Sequence, residues 1–479
     1  MTLNSFTKEK YFVPSILLVF FITFSILAFF SEGSYGGADD LTHYRFSRYA
    51  FQFPEFFLHH WAKPFYTLLA APFAQFGFVG VRIFNVIIGS LTAYFTYRIA
   101  KQLGLQYPFM AIFFLLLSTL YPALMLSGMT EILFSFILVL SVFLFLNKNY
   151  IVSAIVLSFL PLVRTEGIIL LIVFVLPFVL KRRFLSIAFL LMGFFIYSVI
   201  GGFYYHDFLW LITQMPYGDA TDIYGTGSLF HFVLQSKGIF GFVFTAFIFL
   251  GIIIILYQFI RLKPEKIAYK NNDAILLILI PASAYYWAHS FSWYLGVGSS
   301  VGLIRVMAAI IPLFAIIALV SYDFLLSKFK INKILSLFVS IFVIAFLLHS
   351  TLSLNQFPVP LREKNQLIKE ASNWIKNSEY NNIKVYYYDP YFFWFLDRNP
   401  YDKNLMEEFI PDRENPGNKM ETGEILIWDA HFSANEGGLA LSQVEESPLL
   451  TKLKVFKPEN TFTVLGGHEY MIVLFRKAE

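Results

Sequence analysis

Two adjacent carboxylates, Asp39 and Asp40, stand in Ser34-Tyr-Gly-Gly-Ala-Asp-Asp-Leu-Thr-His-Tyr44, a few residues beyond the first long apolar run. An acidic pair at a membrane surface can take the proton of a hydroxyl or hold a cation beside a phosphate. Other ionisable residues recur where apolar runs begin or end. Glu131 follows Gly128-Met-Thr, and Arg164 and Glu166 lie in Pro161-Leu-Val-Arg-Thr-Glu-Gly167. Arg82 lies in Val81-Arg-Ile-Phe-Asn-Val-Ile-Ile-Gly89, Arg305 follows Gly298-Ser-Ser-Val-Gly302, and His206 and Asp207 close another run. Guanidinium groups pair with phosphate and carboxylates accept protons, so this set suits chemistry on a phosphorylated lipid. Each residue also has a plainer reading. Arg82 fits a side chain snorkelling to headgroups, Arg164 and Glu166 an ion pair, Glu131 a helix-start acid, and Asp40 a cap on the helix carrying His43 and Tyr44.

Histidines raise the question of a metal. His43, His59, His60 and His206 include no pair spaced one helical turn apart, and adjacent His59 and His60 diverge on a regular element, so zinc is not expected. Mg²⁺ or Mn²⁺ on Asp39, Asp40 and Glu131 stays open. His59-His-Trp-Ala-Lys-Pro-Phe-Tyr66 reads as an interface segment, with Trp61 and Tyr66 at headgroup depth and Lys63 toward lipid phosphate. Residues 205–227 read as an external loop, either an ordinary connection or a lid.

These residues need a membrane scaffold. The chain of 479 residues is 57% hydrophobic and only 14% charged, which indicates a polytopic membrane protein. A net charge of +4 gives no reason to expect a nucleic-acid partner, and the absence of cysteine excludes disulfides and thiolate chemistry. The run 11–30 is of spanning length and is expected to be an uncleaved signal-anchor. Further runs lie near 80–100, 107–126, 129–147, 150–163, 165–181, 184–205, 238–261, 273–291, 302–321 and 332–350, about eleven in all. Connections at 98–101, 147–149, 181–183, 261–266 and 328–333 are basic and belong in the cytoplasm, whereas 31–79, 206–237 and 292–301 belong outside. The expected fold is therefore an α-helical polytopic membrane domain, residues 1–353 with a first external loop at 31–79. It is followed at 354–479 by a small extracytoplasmic α/β domain, with a helix over 362–376 and strands at 383–388, 424–428 and 470–475.

In order and sidedness these motifs resemble the GT-C superfamily, polytopic glycosyltransferases that use polyprenyl-phosphate sugars. The resemblance rests on Asp39-Asp40, the 81–89 stretch, Thr130-Glu131 and Leu162-Val-Arg-Thr-Glu-Gly-Ile-Ile-Leu170. It implies an inverting hexosyl transfer, mannose by default, to an extracytoplasmic glycan, lipid or protein in the bacterial inner membrane. Asp40 or Asp39 would be the general base, with Asp40 preferred, and Glu131 a second acid. Arg305, Arg164, Arg82 and Lys63 would meet the donor phosphate, with His43, Tyr44, His59, His60, His206 and Asp207 about the substrates. Gly37-Ala-Asp-Asp40 departs from the His-Pro-Asp-Glu of one mannosyltransferase subgroup, which leaves the sugar open. A lipid-linked glycan transporter or flippase, an O-antigen-type ligase or polymerase, and a non-catalytic scaffold are the competing readings.

Overall fold

The computed structural model describes residues 3–216, 225–261, 271–298, 300–464 and 466–479. Part of the candidate lid (217–224), most of the basic connection at 261–266, and Ser299 lie outside the described residues. The chain forms two compact units, one ending at Val359 and the other running Pro360–Glu479.

Among the described residues of the first unit, seven helices are long and apolar enough to cross a membrane: Tyr11–Phe30, Gly77–Gln102, Phe184–Tyr205, Phe242–Ile260, Ile275–Leu295, Ile304–Lys328 and Lys333–Leu354. Between them lie the shorter apolar helices Pro64–Ala74, Glu131–Leu146, Tyr150–Val163 and Gly167–Leu180. Ile304–Lys328 is the central element, 89% of its apolar stretch being buried, whereas Tyr11–Phe30 is 17% buried and turns most of its side chains outward. The helices used below are α1 (Leu3–Phe30), α2 (Asp39–Tyr49), α3 (Pro64–Ala74), α4 (Gly77–Gln102), α5 (Glu131–Leu146), α6 (Gly167–Leu180), α7 (Met192–Tyr205), α8 (Ile280–Leu295) and α9 (Lys333–Leu354).

One expected span is broken. The run 107–126 forms two pieces, Met110–Leu116 and Tyr121–Met125. A break inside an apolar bundle must satisfy its freed backbone groups within the protein. Here the Leu120 amide donates to Ile239 O at 3.2 Å. Thr351 at the end of α9 donates to Leu117 O, and Asn355 Nδ2 to Thr119 O at 2.7 Å.

The second unit is an α/β layer. Its five-stranded sheet has strands β1 (Val385–Tyr387), β2 (Met406–Glu408), β3 (Ile425–Asp429), β4 (Leu450–Phe456) and β5 (Ile472–Lys477) in the order β2-β1-β3-β5-β4. β1 pairs in parallel with β2 and β3, whereas β5 is antiparallel to β3 and β4. Val385 to Tyr387 and Ile425 to Asp429 are buried throughout, as expected for strands covered on both faces.

Candidate active site

Helix α4 organises the loops around the acidic pair. Arg82, 1% exposed, donates Nη1 to Ser31 O and Nη2 to Gly33 O, and its guanidinium lies 4.6 Å from the Phe78 ring centroid. One turn along, Asn85 Nδ2 donates to Ser127 O at 2.7 Å and Met129 O at 3.0 Å, fixing the turn that leads into Glu131. Tyr66 of α3 holds the same turn by donating to Gly128 O at 2.8 Å. The first loop is also clasped from the far end of the unit, where Gly33 N donates to Val359 O and Val359 N to Ser31 Oγ, both at 2.9 Å.

The two aspartates open α2 and point into different surroundings. Asp40 is fully buried, accepts from Leu41 N at 3.0 Å through Oδ1, and packs so tightly under Gly36 that a Cβ there would lie 2.0 Å from its Cγ. Burial pushes its carboxyl above the ordinary value. Asp39 has a side chain 42% exposed and is ion-paired to Arg305 Nη2. The preference for Asp40 as base therefore meets a physical obstacle, because no acceptor hydroxyl reaches a carboxylate sealed beneath the loop backbone. Asp39 is the accessible member.

Arg305 and Arg164 converge on Glu131. Arg305 lies in a 3₁₀ segment, Ile304–Ile310, and Arg164 in the extended turn before α6. Arg305 Nη1 donates to Gly36 O at 2.7 Å and its Nε is 3.7 Å from Glu131 Oε1. Arg164 Nη1 is 2.7 Å from the same carboxylate and 3.2 Å from Thr130 Oγ1, while its Nε pairs with Glu166 at 2.6 Å. Glu131 is 0% exposed. It sits below the arginines as their fixed counter-charge, so a proton-transfer role for it is corrected to a positioning one. Lys63, in a left-handed conformation at the start of α3, adds a third positive charge acting on His43 and Glu166.

Other expectations are not met by the geometry. Arg82 faces backbone carbonyls and is a loop anchor, not a phosphate ligand. His43 is buried 5.7 Å from Tyr66, ring to ring, and burial holds its imidazole down to about 3. Tyr44 packs edge-on against Phe78 at 5.5 Å. His59 stacks on Phe46 at 4.8 Å, and His60 Nε2 meets Trp210 O at 3.2 Å. His206 caps α7 at φ 55°, and Asp207 accepts from Leu209 N at 2.8 Å and from Thr213 Oγ1. Tyr66 is buried within the protein, its hydroxyl on Gly128 O, and turns no surface to lipid. Asp39, Asp40 and Glu131 do not make a cation site: two of them face guanidinium groups, and among the described residues no group of three or more His, Asp or Glu could hold a metal ion. The sequence reading missed the partner of Glu166, Tyr285 on α8, whose hydroxyl donates to Oε1 at 3.4 Å.

The spanning helices and the small C-terminal sheet make a mostly helical polytopic fold, with the acid–arginine cluster in its first unit. No protein-family model matches the sequence, nor does any curated protein. The structure is similar to ArnT from Cupriavidus metallidurans in the apo state, with TM-score 0.60 and 12% identity over 98% of each chain. It is similar also to that ArnT bound to undecaprenyl phosphate, with TM-score 0.58 and 13% identity over 98% of each chain. An oligosaccharyltransferase from Archaeoglobus fulgidus in the apo form aligns at TM-score 0.49 and 13% identity, over 86% of this chain and 69% of that one. At these identities the likeness is one of fold.

Proposed function

We propose that the protein is a membrane glycosyltransferase that moves a hexose, mannose being the first to test, from a polyprenyl-phosphate donor to an extracytoplasmic glycan, lipid or protein. The observation that carries this reading is the accessible Asp39 paired with Arg305, next to the part-buried Arg164 and the buried Glu131. An acceptor hydroxyl is a weak nucleophile and needs a carboxylate to take its proton as it attacks. The leaving lipid phosphate needs fixed cations where its charge grows. Arg305 supplies one, with Arg164 and Lys63 beside it. In the direct displacement the acceptor oxygen bonds to the anomeric carbon, the carbon–oxygen bond to phosphate breaks with inversion, and the proton passes to Asp39. A donor phosphate docking on Arg305 competes with Asp39 for the guanidinium, so donor binding frees the base. The ArnT structure containing undecaprenyl phosphate supports a lipid phosphate as ligand for this fold. The basic connections 98–101, 147–149, 181–183 and 328–333 support placing the Asp39 site and residues 354–479 outside the cytoplasm of a bacterial inner membrane.

The test is incubation of the purified protein with a panel of polyprenyl-phosphate hexoses and cell-envelope acceptors, following released lipid phosphate. At least one donor should be consumed, and Asp39→Asn should stop its consumption. Lipid movement across vesicles with no donor consumed would leave the transporter reading in its place.

A further inference from the structure

The helices that position the acid–arginine cluster leave it in one direction. Helix α4 runs from Arg82 to Arg98, α5 from Glu131 to the turn at Asn147, and α6 from the Arg164–Glu166 turn to Lys181. At a rise of 1.5 Å per residue, Arg98 lies about 24 Å along α4 from Arg82, close to the thickness of a hydrocarbon core. The far ends therefore reach the opposite membrane interface, and there they touch. Gln102 Nε2 donates to Asn147 Oδ1 at 2.8 Å. The Arg98 guanidinium lies 5.1 Å from the Phe143 ring centroid, and that of Arg183 4.8 Å from Tyr150. Phe145 and Phe178 pack beneath at 5.2 Å, tying the end of α5 to that of α6.

The joined ends carry Lys148, Arg182 and Arg183, all exposed, and the half-buried Arg98. The stretches 94–106, 143–150 and 178–190 contain no Asp or Glu. Lys181 beside them has a carboxylate of its own, Asp273, at 3.2 Å. Like charges on adjoining turns repel, and an anion brought from outside the chain relieves that repulsion. Two of the cations are also set in place. Arg98 lies over Phe143 and donates Nη1 to the Tyr94 hydroxyl at 2.6 Å, and Arg183 lies over Tyr150. A guanidinium laid on a ring keeps edge N–H groups for a phosphate and loses little freedom in binding it.

We propose that this patch binds the headgroup of an anionic phospholipid in the leaflet opposite the acidic pair. On the orientation proposed above, that is the cytoplasmic leaflet. Place and charge select the occupant. The patch closes the ends of spanning elements, where a phosphodiester stands at headgroup level with its acyl chains already in the bilayer. Guanidinium forks match phosphate oxygens, and basic clusters beside a span favour anionic lipids. A zwitterionic headgroup brings a cation that the same arginines repel. One lipid held there braces the far ends of the helices that carry Arg82 and Glu131 and follow Arg164.

The experiment titrates the full-length protein in detergent with phosphatidylglycerol or phosphatidylcholine and compares the dissociation constants of the first bound lipid by native mass spectrometry. The wild type should prefer phosphatidylglycerol. Arg98→Gln and Arg183→Gln should each lower that preference about fivefold, the effect of one cation near a membrane surface. Arg98→Lys and Arg183→Lys, which keep the charge, should retain most of it. Lys148→Gln with Arg182→Gln, both at exposed turns, should lower it too, and reads the patch even if losing the ring contacts disturbs the fold. Lys330→Gln with Lys333→Gln makes an equal charge change on the 328–333 connection and should leave the preference intact. The proposal is overturned if the wild type shows no preference, or if that last pair lowers it as far as the patch variants do, which is the mark of a diffuse surface charge. It is overturned as well if inorganic phosphate abolishes the preference where sodium chloride of equal ionic strength does not, because the patch then serves a free anion.

Discussion

Asp39 and Asp40 are neighbours in sequence with different duties. A half-exposed carboxylate can meet a substrate, whereas one sealed under Gly36 can only shape the loop that presents it. Asp39→Asn should lower transfer by about 10²–10⁴-fold, the range for loss of a general base, with lipid-phosphate binding retained. Asp40→Asn keeps the size and the acceptor to Leu41 N, and should cost less than tenfold, a threshold of about 1.4 kcal/mol. Equal collapse in both variants, measured as lipid phosphate released, would return the base to Asp40. The acidic pair itself was legible because two carboxylates beside a spanning run are uncommon. Which of them faces outward depends on the path of the Gly36–Gly37 backbone, and nothing in residue type reveals it.

At the scale of elements, the stretch Val81-Arg-Ile-Phe-Asn85 is a clamp. Arg82 and Asn85, three residues apart on one face of α4, grip the first loop and the 127–129 turn respectively. The sequence marked Arg82 as polar and at a span end, but a phosphate and a row of carbonyls are equally good partners for a guanidinium. Arg82→Ala should leave buried carbonyls unsatisfied at about 1–3 kcal/mol each and destabilise the protein as well as slow it, visible as a lower Tm. Arg305→Ala should instead weaken lipid-phosphate binding with a smaller change in Tm, and the reverse ranking would restore Arg82 as a phosphate ligand. The broken 107–126 helix shows the same limit. Its hydropathy is that of a span, and the groups that allow the break, Thr351, Asn355 and Ile239, lie over a hundred residues away.

At the scale of the whole molecule, the composition changes near residue 354 and the second compact unit begins at Pro360, where the helix Glu363–Lys376 and strands β1 and β3 lie within a residue or two of the periodic runs and β5 lies two residues beyond its run. β4 escaped because a register shift between Lys452 and Lys454 spoils its alternation, and β2 because three residues carry no period. This unit holds a buried ionic group in which Lys364 Nζ lies 2.7 Å from Asp389 and 3.0 Å from His431 Nδ1. Burial pushes the nearby Asp429 carboxyl up and holds His431 down to about 4. The fold therefore prefers Asp429 protonated, a contribution that fades as pH rises from about 4 upward. It prefers His431 neutral, a contribution lost as pH falls from about 6.5 to about 4. The two slopes oppose. His431→Gln should leave a unit that loses stability on raising the pH from 4, and Asp429→Asn one that gains it. Hydrogen exchange at the Ile425–Asp429 amides of the full chain reads both, and parallel slopes in the two variants would refute the pairing.

The Asp39–Arg305 contact also bears on what the protein does with water. A base held by a cation until lipid phosphate arrives leaves the resting site without a free base to activate water. On the proposed transferase reading, with Asp39 as the base, turnover would have a compulsory order, lipid first and acceptor second, and a free acceptor would compete for nothing. An Arg305→Gln chain would lose that discipline along with its grip on phosphate, so the little donor it still consumed should be divided more evenly between acceptor and water.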